Sequence, residues 1–292
     1  MIESSSYFVQ PGPLPKVDEA ALELIHESEG GHCLLLKGHR NDRVVVYKAL
    51  RSQFRNDPVY QRMLRREYEI ARSLKHPGVC EVLGWITLPG YGDSIEMEWV
   101  DGCSLGEWLA RNGSDVKLTR RVLIDITDAL AYIHRKQVIH KDLKPENILV
   151  TRFGDHVKII DFGLSDTDSI LTGKDPAGTF NYAAPEVLAG GVADERSDIY
   201  SLGKIIGQAG PAFSRIARRC TVADPARRPS SAELVAASLA DGSKAEALKW
   251  VAFAAIAVIA LATWLYLRDK GSAGQLFMDA VQQVRQSTTT SL

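Results

Sequence analysis

The residues best suited to chemistry in this 292-residue chain lie in two short stretches, His140-Lys141-Asp142-Leu143-Lys144-Pro145-Glu146-Asn147 and Asp161-Phe162-Gly163. Asp142 and Asn147 stand five positions apart in a polar loop, and Asp161 follows a short apolar strand and precedes a flexible glycine. Such a set offers a few hard oxygen donors. Mg2+ takes ligands of that kind and completes its shell with water and phosphates. The spacing therefore suits a divalent cation held beside a phosphorylated ligand.

The elements that must position these residues change character along the chain. Cys33–Lys37 and Val44–Leu50 read as strands separated by turn chemistry at Gly38–Asp42. Asp57–Lys75 reads as a helix with Met63, Ile70, Ala71 and Leu74 on an apolar stripe, stopped by His76-Pro77-Gly78. Two more strands are expected around Val79–Thr87 and Ser94–Val100. After Gly102 the pattern turns helical, with Val122, Ile126, Ala129, Leu130 and Ile133 on one face of Leu118–His134. Short strands at Ile148–Thr151 and Val157–Ile160 follow, and the chain to Leu239 is helical with Gly and Pro breaks. A β-rich lobe joined to an α-rich lobe by polar loops implies a cleft, where ligand sites usually form.

His-x-Asp-x-Lys-Pro-x-Asn, Asp-Phe-Gly and Ala-Pro-Glu, in that order, resemble the protein kinase family. A lone Asp-Phe-Gly would carry nothing; order and spacing make the match specific. The resemblance runs from about Ala21 to Leu239, roughly three quarters of the chain. It implies an α+β, bilobal fold with a β-rich N-lobe (21–100) and an α-rich, shortened C-lobe (101–240), using ATP and Mg2+. By position it assigns Asp142 to orient the attacking hydroxyl and accept its proton, and Asn147 and Asp161 to hold Mg2+.

The same resemblance makes Lys48, closing Val45-Val46-Tyr47-Lys48, the strand lysine that contacts phosphate. Its helix partner should be Glu67, ten positions before Pro77; Glu69, the rival, points about 200° away around a helix axis. Nucleotide contacts fall to Gly30, Gly31, Cys33 and Val46, and to Met97, Glu98 and Val100 in a hinge-like Met97-Glu98-Trp99-Val100. Gly178–Glu186 resembles the end of an activation segment, with Glu186 expected to pair with Arg228. Asp198 should brace the catalytic loop through backbone amides. Lys144, two positions after the base, resembles the γ-phosphate contact of the Ser/Thr class, so the implied acceptor is a Ser or Thr hydroxyl on a protein, or on the chain itself. The joint presence of Lys48, Glu67, Asp142, Asn147 and Asp161 favours an enzyme over an inactive, membrane-tethered scaffold. Ala183-Ala184-Pro185-Glu186 and Thr179 argue against a small-molecule phosphotransferase.

Three departures stand out. The phosphate-covering segment, His26–Cys33, keeps only Gly31 at an expected glycine, with Gly30 beside it and Glu27 and Glu29 nearby. Lys141 replaces the arginine usual between the catalytic His and Asp, and lysine binds a phosphate less well than arginine's planar fork. Activity is therefore expected to depend little on phosphorylation of Ser165, Thr167, Ser169, Thr172 or Thr179. Finally, only 16 residues separate Gly203 from Cys220, where the family has a longer stretch with a docking helix.

Composition is ordinary: net charge -1, 45% hydrophobic and 24% charged residues. Disorder, collagen-like repeats and a basic nucleic-acid-binding domain are poor fits. Met1–Gln10 lacks the apolar core of a secretory signal, residues 1–20 read as an extension, and the four scattered cysteines suggest free thiols. The average hides one run, Trp250–Leu267, that is 18 residues long without a charge. As a helix it would span ~27 Å, close to the ~30 Å hydrocarbon core of a bilayer. The kinase-like region ends before it. The expected layout is a linker (241–249), a transmembrane helix (250–267) and a short tail (268–292), with the kinase-like domain on the cytoplasmic side where ATP is. The expected partners are a protein substrate, the lipid bilayer and a second copy for autophosphorylation, with no nucleic acid.

Overall fold

The structure, a computed structural model, describes residues 22–27, 31–162 and 181–241, and nine positions between 255 and 282. Gly30, Gly163, Gly178–Phe180, the five candidate phosphorylation sites and most of the 250–267 run lie outside the described residues. The chain divides into two compact units, Met1–Leu239 and Ala240–Leu292.

The first unit opens with five antiparallel strands: β1 (Glu23–Glu27), β2 (Cys33–Arg40), β3 (Arg43–Leu50), β4 (Val82–Leu88) and β5 (Gly92–Glu98), ordered β1-β2-β3-β5-β4. β2 and β3 close on a two-residue turn, Asn41-Asp42, with φ of 47° and 62°. Positive φ at both positions matches the right-handed twist of a tight hairpin, and Asn and Asp tolerate it better than other side chains. The turn is thus tighter than the Gly38–Asp42 expected, and Gly38 lies within β2. Alternation along β3 sends Val45, Tyr47 and Ala49 into one apolar cluster with Leu34, Leu36 and Leu88. Its other face carries Val46, Lys48 and Leu50. Glu96 on β5 is fully buried and pairs with Arg40.

Helix α1 (Pro58–Ala71) starts where Asp57 accepts the Val59 N–H at 2.8 Å and Pro58 sets the first turn. It buries Leu64, Glu67 and Ala71, which share one helix face. Beyond the sheet, β6 (Gly102–Ser104), β7 (Ile148–Thr151) and β8 (Val157–Ile159) form a small antiparallel sheet. Around it lie α2 (Leu105–Asn112) and the 20-residue α3 (Val116–Arg135), whose Val122, Ile126, Ala129, Leu130 and Ile133 are all completely buried. α4 (Pro185–Leu188), α5 (Glu195–Gln208), α6 (Ser214–Cys220) and helical residues 232–239 complete the unit.

Three elements were absent from the sequence reading. The side chains of β1 are all exposed, so it shows no alternation to detect. β6 has three residues, and α2 buries only Leu105 and Trp108. The shortened segment is confirmed as a compact join: one short turn, Pro211–Phe213, links α5 to α6. Gly203 makes the contact possible, since a Cβ there would lie 2.5 Å from Cys220 Cβ.

In the second unit the described positions are helical and exposed, among them Ile256, Val258, Ile259, Leu261, Trp264 and Leu265. Among the described residues no helix is long and apolar enough to cross a membrane.

Candidate active site

Lys48 projects from the middle of β3 between two carboxylates. Its Nζ lies 2.7 Å from Glu67 Oε1 and 2.8 Å from Asp161 Oδ1. Lys48 and Glu67 are both buried. Burial works against the Lys48 ammonium, but Asp161 and Glu67 overcome it and hold the charge well above its usual range. Burial pushes the Glu67 carboxyl up to about 7, against the pull of Lys48. Glu69 is turned to the exposed side of α1, where it pairs with Arg65 at 3.1 Å. The two glutamates thus lie on different faces of α1.

Loop 140–147 carries the second group of candidate residues. Lys144 Nζ sits 2.8 Å from Asp142 Oδ2. The Asn147 amide donates to the Asp142 carbonyl at 2.8 Å and to its carboxylate at 3.0 Å. The loop is held from beneath by Asp198, completely buried in α5. One of its oxygens accepts the Lys141 N–H and the other the His140 N–H, each at 2.8 Å; His134 Nε2 lies 2.8 Å from the second. Main-chain donors fix the loop's path whatever its side chains do, with Lys141 at φ 71°; Asp161, beyond the loop, sits at φ 60°. His140 packs against Phe162, ring centroids 5.3 Å apart.

The Asn147 side-chain oxygen takes no hydrogen bond from a described residue, and this oxygen and the Asp161 carboxylate are hard donors of the kind Mg2+ takes. Among the described residues no group of three His, Cys, Asp or Glu side chains could hold a metal alone. The donor set fits a cation that takes its remaining ligands from phosphate and water.

The covering segment is held by side chains. Arg51, just past β3, pairs with Glu27 at 2.7 Å and donates to the Gly31 carbonyl at 3.1 Å, while its N–H reaches the His32 carbonyl at 2.9 Å. Glu27, which the sequence marked as an unfavourable charge near phosphate, is thereby neutralised. His32 packs on Tyr60 of α1, and Tyr60 on Phe54. Burial pushes the Cys33 thiol up to about 12; Lys48, Glu67 and Asp161 all act on it, which places it beside the lysine. A thiol in that state is neutral and unreactive.

Val46 sits opposite Met97 in the β3–β5 ladder. Strand β5 ends at Glu98, so Val100 lies outside the strand expected to contain it. Glu98 is fastened from behind: its carboxylate accepts the Glu81 N–H at 2.8 Å and lies 2.5 Å from Lys158 Nζ. No described group accepts the Val100 N–H.

Glu186 and Arg228 form a two-pronged ion pair at 2.6 and 2.7 Å. Arg228 also donates to the carbonyls of Val222, Ala223 and Arg196, so the buried guanidinium is fully used. One cation escaped the sequence reading. Arg66 of α1 acts on Lys141: burial first, and then Arg66, hold the Lys141 ammonium below its usual range.

With this geometry in place, comparison with known proteins is unambiguous at the level of family. The protein kinase domain matches residues 22–210. The chain belongs to the protein kinase family. The serine/threonine-protein kinase PrkC of Bacillus subtilis is 35% identical over 172 residues, covering 56% of this chain and 26% of that protein. A probable serine/threonine-protein kinase of Streptomyces coelicolor is 37% identical over 191 residues, covering 61% and 28%. The chain thus spans little more than a quarter of either relative. The kinase domain of PknI from Mycobacterium tuberculosis shares the fold, with a TM-score of 0.58 and 23% identity over 76% of this chain and 96% of that one.

Proposed function

We propose that the chain is an ATP- and Mg2+-dependent serine/threonine protein kinase, anchored to a membrane by residues 250–267 with its kinase unit on the cytoplasmic side. The observation that carries the enzymatic reading is the Lys48 ammonium seated between Glu67 and Asp161, facing a loop that holds Asp142, Lys144 and Asn147 together. Mg2+-ATP, when bound, would supply the transferable phosphoryl group and neutralise charge during its transfer. Asn147 and Asp161 would hold the cation and Lys48 the phosphates. Asp142 accepts the proton of the acceptor hydroxyl as that oxygen bonds to the γ-phosphorus and the bridging bond to ADP breaks. Lys144, beside Asp142, balances charge where the γ-phosphoryl group arrives.

The preference for Ser or Thr rests on Lys144 and on the similarity to serine/threonine-protein kinases. It is tested by Mg2+-ATP-dependent phosphorylation of the chain and of a generic protein substrate, with Asp142→Asn as control and phosphoamino acid analysis. Signal on Ser or Thr that vanishes in Asp142→Asn is expected. Equal signal in both would leave the chain as a binding scaffold.

The anchor reading rests on the uncharged run from Trp250 to Leu267 and on the exposed apolar helical positions within it. Thr263, the run's only hydroxyl apart from Tyr266, donates to the Ile259 carbonyl at 2.8 Å, the internal pairing that lipid demands. Retention of the full chain in vesicles after alkaline carbonate washing is the expected result; complete release would remove the anchor.

A further inference from the structure

The compact join between α5 and α6 leaves a surface of one charge sign. From Lys204 to Ala223 the chain carries Lys204, Arg215, Arg218 and Arg219 and no aspartate or glutamate. All four side chains are exposed. Arg215, Arg218 and Arg219, at i, i+3 and i+4, share one face of α6, while Ala217 and Cys220 are buried against the unit. Lys204 adjoins them from α5, one residue past the Gly203–Cys220 contact.

Among the described residues none of the four forms an ion pair. Other surface arginines of this unit do: Arg65 with Glu69, Arg121 with Asp155, Arg135 with Glu233, Arg152 with Asp101. Among the described residues the α6 face is thus an uncompensated cationic patch.

Its position adds a second argument. The buried Arg120 guanidinium lies over the Phe213 ring at 5.2 Å and donates to the Leu239 carbonyl at 3.0 Å. The residue that precedes α6 and the last residue of the kinase unit therefore share one arginine. The cationic face begins beside the point from which the chain continues toward residues 250–267. The ten residues between, 240–249, can reach at most about 35 Å, and they add Lys244 and Lys249.

We propose that the α6 face docks the kinase unit on an anionic bilayer surface, its arginines meeting lipid phosphates and carboxylates. This rests on the reading that residues 250–267 enter a membrane. Each such cation strengthens partition roughly fivefold, and salt weakens the attraction.

The test uses the full chain with Ile256→Lys and Leu261→Lys, which interrupt the apolar run, floated on phosphatidylcholine vesicles with or without about a third of phosphatidylserine. The interrupted chain should float with anionic vesicles only. Adding Arg215→Glu, Arg218→Glu and Arg219→Glu should lower partition about 100-fold at unchanged autophosphorylation. The milder pair Arg218→Gln and Arg219→Gln should lower it about 25-fold, which guards against misfolding of the triple variant. Equal binding to neutral vesicles, or indifference to both sets of substitutions, would overturn the proposal. Capture by polyglutamate without partition onto anionic vesicles would also overturn it and assign the face to an acidic protein segment. The chain with its native run is measured separately on neutral vesicles: its failure to float removes the anchor, whereas failure of the interrupted chain on anionic vesicles removes only the docking face.

Discussion

Two segments that the sequence assigns to one site are held in different ways. Loop 140–147 keeps every family residue except Lys141 and is fastened through its own main chain to the buried Asp198. The segment 26–33 has lost most of its expected glycines and is fastened by the Arg51 side chain to Glu27 and the Gly31 carbonyl. The first must place a carboxylate within hydrogen-bond reach of a proton, where small displacements are costly. In the proposed reaction the second would cover phosphates, a task that different donors can share. The comparison teaches that main-chain bonds to a buried carboxylate fix a loop independently of its side chains, whereas a segment fastened by one arginine depends on that side chain.

The sharpest way to break this contrast is Asp142→Asn. It should lower kcat by about 10²- to 10⁴-fold while leaving KM for ATP within a few-fold, measured in steady-state phosphorylation. A small effect would show that Asp142 serves the loop's structure alone. Asp198→Ala should come next. It strands two buried N–H groups and His134, costing about 3 kcal/mol in urea unfolding and lowering kcat through misplacement of Asp142. Normal stability and rate would mean the loop holds itself.

The acid side of the pH profile isolates Lys48–Glu67. Burial raises the Glu67 carboxyl from the ordinary 4.5 to about 7, and its ion pair needs the charged form. Activity should fall through about pH 7, up to tenfold per unit as pH drops further. Its stability contribution runs the opposite way. Because the folded state binds this proton more tightly, the contribution is complete below pH 4.5 and is lost as pH rises through about 7. Glu67→Gln should remove this limb; an unchanged profile would place the titration elsewhere. Smallest of all, Arg51→Ala should raise KM for ATP about three- to tenfold with kcat nearly unchanged, as expected for a loosened cover. A fall in kcat matching that of Asp142→Asn would erase the distinction between lid and chemistry.

Much of the site was legible before any coordinates. Asp142, Lys144 and Asn147 lie within six residues, so local chain geometry alone keeps them together. Glu67 was separable from Glu69 because helical periodicity puts them on different faces. Arg51 and Arg66 carried no local signal: each is one arginine among many, and its meaning depends on what packs opposite. Val100 was misplaced in a strand because an apolar residue after β5 looks like its continuation.

The sequence by itself determined the family, the order of the reacting residues, the shortened join after α5 and the uncharged run near the end. Each is written in residues close together along the chain, where residue type and spacing suffice. The tertiary structure alone decided that Arg51 fastens Glu27 and the Gly31 carbonyl, that the Arg66 charge acts on Lys141, and that Arg120 donates to Leu239, 119 positions away. Lys48 and Asp161, 113 positions apart, meet for the same reason. Contacts at such separations exist only once burial of the apolar core has overcome the entropy of closing the intervening chain.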